Sequence, residues 1–225
     1  MFAFTTFTKG GEPKVCTKVN MIVADSMQGG FITSERVEKI LQEGKVYPVG
    51  KPYDKIDNRQ IEDVLQKNSF VQSAVCYKTA SGQLNVIIEQ RLPILRILAN
   101  NGDDYYVDEK GFRMKVNGYE ADLPVVTGQV TLDYVQKNLV DLGKYLRENE
   151  FWNSQIEQIE VKPDGELEFV MRVGNTLVVV GDPVNIPVKL RNLQAFYNKV
   201  MPEVGWTRYK EISIAYENQI ICKKQ

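Results

Sequence analysis

Hydrophobic and polar positions in the N-terminal part of the chain predict a strand, two helices and a hairpin, in that order. In the two predicted helices hydrophobic residues share one face, as Ile61, Val64 and Leu65 do, whereas in the strands they stand among polar neighbours. The predicted elements are a strand over Val15–Ala24, a helix from Ser34 to Gly44, a helix capped at Asp57, and strands over Phe70–Lys78 and Gln83–Arg91.

Beyond Pro93 the pattern changes to short strands and turns, interrupted by two helices. Thr131 is predicted to cap the first of these helices, in which leucine and valine recur at spacings of three and four, and Pro187 to begin the second. The predicted strands are Ile94–Ala99, Tyr105–Asp108, Phe112–Val116, Ile156–Val161, Leu167–Val173, Leu177–Val180, Glu211–Glu217 and Gln219–Lys224.

The composition is that of a folded globular protein with little net charge. The chain has 225 residues, of which 43% are hydrophobic, and this is enough for two domains of about 100 residues each. Lys and Arg number 28 and Asp and Glu 29, so the formal net charge is −1. We therefore expect no nucleic-acid partner, because duplex binding needs a concentrated cationic surface.

The residue types needed for several kinds of catalytic and metal site are missing or scattered. Histidine is absent, which excludes Ser-His-Asp and Cys-His nucleophiles and HExxH zinc chemistry. The three cysteines, Cys16, Cys76 and Cys222, form no CxxC pair, so we expect no metal site. No hydrophobic run reaches the roughly 18 residues of a membrane span.

Two segments resemble ligand-binding loops without meeting their requirements. Gly44–Lys51 has five residues between its glycines where a P-loop has four, and Pro52 follows instead of Ser or Thr. Asp103–Gly111 is acidic, but Tyr and Val occupy positions where a calcium loop needs oxygen ligands, so an acidic hairpin is the better interpretation. We expect no catalytic residue and no cofactor, and keep hydrolysis by paired carboxylates as one alternative.

Segments spread over most of the chain resemble the periplasmic region of the FtsQ/DivIB bacterial cell-division proteins, in particular the branch found in Bacteroides-like bacteria. The similarity runs from about Cys16 to Lys224, and its segments stand in the order of the family. These segments are Gly30–Thr33, Cys76–Thr79, Gln90–Arg96, Tyr105–Asp108 with Gly111, Phe151–Asn153 with Gln155–Ile159, and Asn218–Cys222.

The resemblance implies an α+β fold with two domains. The first, over 15–92, would be a POTRA domain of β-α-α-β-β order, with a three-stranded mixed sheet and two helices. The second, over 93–225, would be a β-rich domain with two or three helices. Residues 1–14 would form a juxtamembrane tail, and Pro93 would mark a short, semi-rigid connection because bulky residues flank it.

The resemblance also implies a non-enzymatic scaffold at the division site. Its partners would be FtsB-like and FtsL-like single-span proteins, which it would couple to septal peptidoglycan synthases. Family members are single-pass inner-membrane proteins with a periplasmic ectodomain, so we expect an anchoring helix outside this sequence. The alternative is a POTRA-bearing outer-membrane assembly or secretion component, which would carry further POTRA units or alternating barrel strands of about ten residues.

The resemblance places the partner-binding site at the final strand, where family members receive an FtsB-like strand. Ile220 and Ile221 are adjacent, so one of them must face away from the core. We expect Ile221→Pro to prevent strand addition if the Ile221 N–H points outward. The predicted site residues are Tyr216, Gln219, Ile220, Ile221, Cys222 and Lys223.

The resemblance has a consequence for the cysteines. In POTRA-like domains the third strand lies between the first and the second, which would place Cys16 and Cys76 two strand spacings apart, roughly 9–10 Å. A disulfide tolerates a Cα separation of only about 7 Å. We therefore predict that these two cysteines are not bonded, even in an oxidising compartment.

Overall fold

The protein divides into two compact units in the computed structural model, Met1–Arg91 and Leu92–Gln225. The structure describes residues 14–24, 31–116, 118, 120–174 and 176–225. The expected juxtamembrane tail over 1–14 lies outside these residues apart from Lys14, and so does Gly30. The predicted boundary and the stiffness of the connection at Pro93 stay predictions, and each unit is described by itself.

The first unit has a three-stranded mixed sheet and two helices in the order β-α-α-β-β. Strand β3 lies in the centre, parallel to β1 and antiparallel to β2. A short 3-10 turn over Tyr53–Lys55 precedes the second helix. The elements are β1 Lys18–Ala24, α1 Ser34–Glu43, α2 Asn58–Gln66, β2 Val71–Lys78 and β3 Gln83–Gln90.

Side chains at the start of each helix satisfy backbone donors that the helix itself leaves free. Asp57 caps α2, as predicted, and its carboxylate accepts a hydrogen bond from the Gln60 N–H. The cap of α1 is Thr33 and not Ser34, because the Thr33 hydroxyl accepts from the Arg36 N–H at 3.2 Å. The first helix therefore begins one residue after its capping hydroxyl.

The cysteines of the described residues are free thiols. The expected strand order, with β3 between β1 and β2, is confirmed. Cys16 lies just before β1 and not on it, whereas Cys76 lies on β2. Burial, and secondarily the nearby Glu62 carboxylate, raise the pKa of the Cys76 thiol to about 12, so this thiol is protonated at neutral pH.

The second unit is built on a nine-stranded mixed sheet, and the predicted α+β fold of a POTRA-like unit followed by a β-rich domain is confirmed. The strand order across the sheet is β12-β11-β10-β9-β8-β7-β4-β5-β6. Its strands are β4 Pro93–Ala99, β5 Asp104–Asp108, β6 Arg113–Lys115, β7 Val125–Gly128, β8 Ile156–Val161, β9 Leu167–Met171, β10 Leu177–Gly181, β11 Tyr209–Ser213 and β12 Ile221–Lys224.

Hydrophobic side chains of the helices and of the large sheet form one core in this unit. The helix predicted from Thr131 is present, and it includes a π-helical turn over Val135–Leu139. No helix among the described residues is long and apolar enough to cross a membrane. The α-helices are α3 Leu132–Tyr134, α4 Val140–Glu148, α5 Glu150–Gln155, α6 Ile186–Lys199 and α7 Met201–Val204.

Strand β7 is an element that the sequence pattern does not reveal. It is four residues long and ends at Gly128, which has a φ of +99°. A Cβ atom at this position would collide with the carbonyl oxygen of Val161 on the neighbouring strand β8. The close approach of β7 and β8 therefore requires glycine at position 128, for both its backbone conformation and its lack of a side chain.

We expect Gly128→Ala to lower the free energy of unfolding of the second unit by more than about 2 kcal/mol, from combined strain and overpacking. Gly205→Ala is the matched control, because Gly205 also has a positive φ, but no atom of the described residues lies within 4 Å of the place that its Cβ would take. The control should lose only about 1 kcal/mol. Urea unfolding followed by tryptophan fluorescence measures both variants, since Trp152 and Trp206 belong to this unit. Equal losses would contradict the proposed close approach.

Candidate strand-docking site at the edge of the larger sheet

The last strand, β12, lies at one edge of the nine-stranded sheet. It is antiparallel to β11, with Ile212 opposite Cys222 and Ser213 opposite Ile221. No strand among the described residues pairs with its other side. The two closing strands differ from the prediction. Strand β11 begins two residues earlier than predicted, and both strands are shorter because Ile214 to Ile220 form the connection between them.

The parallel neighbour of β11 determines which backbone groups of β11 face β12. The Ile214 N–H donates to the Val179 carbonyl, on β10, at 2.8 Å. Backbone groups of successive residues in a strand point to opposite sides, so those of Ser213 point toward β12. Ser213 and Ile221 are opposite one another, and they therefore form a hydrogen-bonded pair.

It follows that the Ile221 N–H points into the sheet, toward β11. Ile221→Pro was expected to prevent strand addition only if this N–H pointed outward, and that condition is not met. A second hydrogen bond supports this orientation of Ile221. The Gln225 N–H donates to the Arg208 carbonyl at 3.3 Å, and residues 221, 223 and 225 point to the same side because orientation alternates along a strand. The residues whose backbone groups point outward are Cys222 and Lys224. These two residues supply the donors and acceptors of the edge that have no strand partner in the described part of the chain.

Side chains from Ile220 to Cys222, at the start of β12, alternate between the core and the solvent. Ile220 and Cys222 are partly buried against the hydrophobic core, whereas Ile221 is 47% exposed. The expectation that one of the two isoleucines faces away from the core is confirmed. Burial raises the pKa of the Cys222 thiol, so at neutral pH it acts as a small packing group and not as a nucleophile.

Lys223 stands on the outer face but is paired within the sheet. Its ammonium lies 2.7 Å from a carboxylate oxygen of Glu211, the residue opposite it on β11. An exposed cross-strand pair of this kind contributes up to about 1 kcal/mol. The charge of Lys223 is therefore partly compensated within the sheet.

Tyr216 and Gln219 lie in the connection between β11 and β12. Tyr216 is 62% exposed, and its carbonyl accepts a hydrogen bond from the Gln219 N–H at 3.4 Å. Tyr216 therefore presents an aromatic ring to solvent at one end of the edge strand. Aromatic residues in such positions are common anchors of protein interfaces.

Two asparagines of the α6 region hold this connection, and neither was among the predicted site residues. The Asn192 side-chain amide donates to the Glu217 carbonyl at 2.7 Å, and the Asn185 amide donates to the Glu217 carboxylate. Asn185 precedes α6 with a left-handed φ of 55°, which asparagine tolerates better than most residues. In the sequence, an asparagine shortly before Pro187 indicates the start of a helix. It does not indicate hydrogen bonds to a distant segment such as the one around Glu217.

A buried lysine fixes the first turn of α6. Lys189 has a side chain that is 3% exposed, and its ammonium donates to the Val180 carbonyl at 3.0 Å and the Asp182 carbonyl at 2.9 Å. The same ammonium lies 2.5 Å from the Asp182 carboxylate. Its hydrogen bonds hold the pKa of Asp182 below its ordinary value. Three acceptors thus join α6 to the end of β10.

The acidic segment around β5 does not assemble a metal site. Asp104 pairs with Arg96 at 3.0 Å, and Asp103 pairs with Arg113 at 2.8 Å. The buried Asp108 carboxylate accepts from the backbone N–H of Phe112 at 2.7 Å. No group of three or more His, Cys, Asp or Glu side chains in the described ranges is placed to hold a metal ion.

A cavity of ≈ 270 Å³ lies between the helices of the second unit, near the start of α6. Asp141 is the one carboxylate among its described lining residues, which also include Lys137 and Tyr145. Glycoside-type hydrolysis uses two carboxylates that converge on one bond. This cavity does not provide that pair.

Two family models match the chain in sequence. Residues 92–223 match the family described as FtsQ/DivIB, C-terminal related. Residues 14–89 match the POTRA-like domain. A search of curated proteins found no match.

The clamp at Lys189 predicts a pH dependence of stability. A carboxylate with a lowered pKa in the folded protein stabilises it above the pKa of the unfolded chain, about 3.9 for Asp, and this contribution disappears as pH falls through the folded-state pKa. We expect Asp182→Asn to be less stable than the unmodified chain at pH 7 and to approach it below pH about 4.

Urea unfolding at several pH values measures this difference. Asp133→Asn is the control, because Asp133 pairs with Lys137 at 2.9 Å on an exposed helix face, and such pairs contribute about 0.3–0.5 kcal/mol. If Asp182→Asn behaved like Asp133→Asn at every pH, the Asp182 carboxylate would add nothing to the stability that the Lys189 clamp provides.

Proposed function

The chain belongs to the FtsQ/DivIB family, and we propose that it serves bacterial cell division as a non-enzymatic scaffold that binds its partners in the periplasm. The family model covers more than half of the chain, and the POTRA-like match precedes it in the order expected for the family. Together these matches indicate a division-related POTRA protein. The scaffold function, its partners and its link to septal peptidoglycan synthesis are our proposal.

The open edge of β12 is the observation that carries this proposal. An extended segment of an FtsB-like protein would add beside β12 as a further strand, with main-chain hydrogen bonds to Cys222 and Lys224. Its side chains would pack on the exposed face of Ile221 and on Tyr216, both accessible in the described structure. The geometry supports binding, since these outward groups have no strand partner among the described residues.

The same proposal includes an FtsL-like partner and the inner membrane. An FtsL-like protein would arrive in complex with its FtsB-like partner, and the assembly would act on septal peptidoglycan synthases. A single N-terminal helix outside the described residues would tether the ectodomain to the inner membrane. Tethering confines scaffold and partners to one surface and raises their effective concentration.

The outer-membrane assembly or secretion alternative is less well supported. A POTRA-like unit is common to both interpretations, so the first unit does not separate them. The second unit separates them, because residues 92–223 match the FtsQ/DivIB family and contain a helix-covered sheet instead of a further POTRA unit. We therefore propose only the division scaffold.

We expect Cys222→Pro to weaken binding of the periplasmic segment of the FtsB-like protein by about tenfold or more, because it removes an outward donor and adds a bulky ring at the edge. Cys222→Ala is the matched control and should bind within a few-fold of the unmodified chain. Both variants should melt close to the unmodified chain, since no bond to β11 is lost. Isothermal titration calorimetry and thermal unfolding measure the two quantities.

Ile221→Pro serves as the opposite case. It removes an N–H that bonds to β11, so it should lower the melting temperature of the second unit as well as binding. If Cys222→Pro bound the FtsB-like segment as tightly as Cys222→Ala does, strand addition at β12 would be wrong.

We expect Tyr216→Ala to weaken the same binding by about tenfold with little effect on stability, because truncating an aromatic anchor commonly costs more than 1 kcal/mol of binding. Tyr77→Ala is the control, since Tyr77 is also a substantially exposed tyrosine (44%) but lies on the first unit. Equal affinities of the two variants would remove Tyr216 from the binding site.

A further inference from the structure

The two edges of the small sheet in the first unit differ in how far other groups of the protein occupy their outward backbone groups. At the β2 edge, the Cys76 N–H donates to the Glu62 carboxylate at 2.7 Å, and the Cys76 carbonyl accepts from the Asn58 amide at 3.0 Å. Both side chains come from α2. They occupy outward backbone groups that another strand would need, so this edge is partly closed.

The β1 edge is closed only before the strand begins. The Cys16 N–H donates to the Lys51 carbonyl at 3.0 Å, and the Cys16 carbonyl accepts from the Gly50 N–H at 2.9 Å. A loop therefore pairs with the chain ahead of β1. The Thr17 N–H points the other way and donates to Gly82, next to β3, at 3.0 Å.

The pairing of β3 with both of its neighbours identifies the outward groups of β1 itself. The Thr79 N–H donates to the Gln83 carbonyl at 2.9 Å, and Cys76, opposite Val86, points away from β3, so Val86 turns its backbone groups toward β1. Val86 is paired with Met21 and bonds the residues on either side of it, so Asn20 and Ile22 face β3, whereas Val19, Met21 and Val23 turn their groups away from it. No strand among the described residues pairs with that side. The strand is seven residues long with one charged residue, Lys18, at its beginning, and it lacks the charges that usually protect such an edge.

A groove of ≈ 380 Å³ runs beside this edge, between β1 and α1. Val19 and Met21 contribute apolar surface from β1, and both are only half-buried. Glu35 and Glu38 contribute carboxylates from α1. Lys18, Asn20, Ser34 and Tyr47 complete the described lining.

Two groups of the groove, Glu35 and Tyr47, have pKa values that depart from their ordinary values. Hydrogen bonds with its own backbone N–H and with Thr33 hold the pKa of Glu35 below its ordinary value. Burial, and secondarily the hydrogen bond with Glu38, raise the pKa of the Tyr47 hydroxyl, which therefore stays neutral. With Lys18 as the one cation among the described lining residues, these residues carry a net negative charge.

We propose that this groove binds an extended segment of a second protein, which adds beside β1 as a fourth strand and places a Lys or Arg side chain over α1. The aliphatic stem of that side chain covers Val19 and Met21, and its cationic head reaches Glu35 and Glu38. Backbone bonds to Val19 and Met21 give affinity, and the two carboxylates select the charge of the occupant. This site lies on the first unit and is separate from the β12 edge.

A set of three synthetic peptides tests the proposal on the full chain. Each has seven residues, the length of β1, with blocked ends and the sequence Thr-Val-Thr-X-Thr-Val-Thr, where X is lysine, norleucine or glutamate. Backbone amide NMR titrations report both affinity and location. We expect the lysine peptide to shift the signals of Val19, Met21 and Val23, and the glutamate peptide to bind about tenfold more weakly.

Two pairs of variants separate the contributions. Val23→Pro should abolish binding of the lysine peptide, whereas Val23→Ala should retain it, because only proline removes the outward N–H. Glu35→Gln combined with Glu38→Gln should make the lysine and norleucine peptides bind equally, and this pair keeps the test valid if Val23→Pro does not fold. Cys222→Pro should bind the lysine peptide as the unmodified chain does, so this outcome is independent of the function proposed for β12.

Three results would overturn the proposal. The lysine peptide could fail to bind at the highest soluble concentration, or all three peptides could bind equally. The shifted signals could also map to another surface, such as the β12 edge. Any of these results would mean that the β1 groove does not select a cationic strand.

Discussion

The parallel pairing of β10 with β11 is the constraint on which the edge of the larger sheet depends. Parallel neighbours cannot be joined by a tight turn, so the chain must leave the sheet, cross its core face and return. Helix α6 makes this crossing, and the hydrogen bonds of Lys189 fix where it begins. Strand β11 therefore pairs with β10 on one side, and its antiparallel successor β12 is the outermost strand. The pairing of β11 with β10 also determines which residues of β12 turn their backbone groups outward.

Local patterns in the sequence were sufficient for elements with long, regular hydrophobic repeats. The helix after Thr131 and the alternating strand that begins at Leu167 were predictable, because each buries one face over several turns or residues. Strand β7 was not predictable, since four residues ending in glycine carry almost no pattern. Its place in the sheet comes from pairing with β4 and β8, which are distant in sequence.

The candidate site shows the same division between local and tertiary information. The resemblance drew attention to the final strand, and the adjacency of Ile220 and Ile221 was enough to predict opposite faces. Which backbone groups are unpaired could not be deduced, because that depends on the bond between Ile214 and Val179 on another strand. The amides of Asn185 and Asn192 were equally hidden, since they act on a segment more than twenty residues away in sequence.

For the strand addition that we propose at β12, the attachment of Glu217 to α6 has a consequence for the rate of complex formation. A free terminal hairpin would sample many conformations, and only a fraction of encounters would find it competent to pair. The two asparagine amides limit that sampling in the unbound protein, so the proposed recognition edge is preorganised. The entropic cost of ordering then falls almost entirely on the incoming segment, and association is governed by how readily that segment becomes extended.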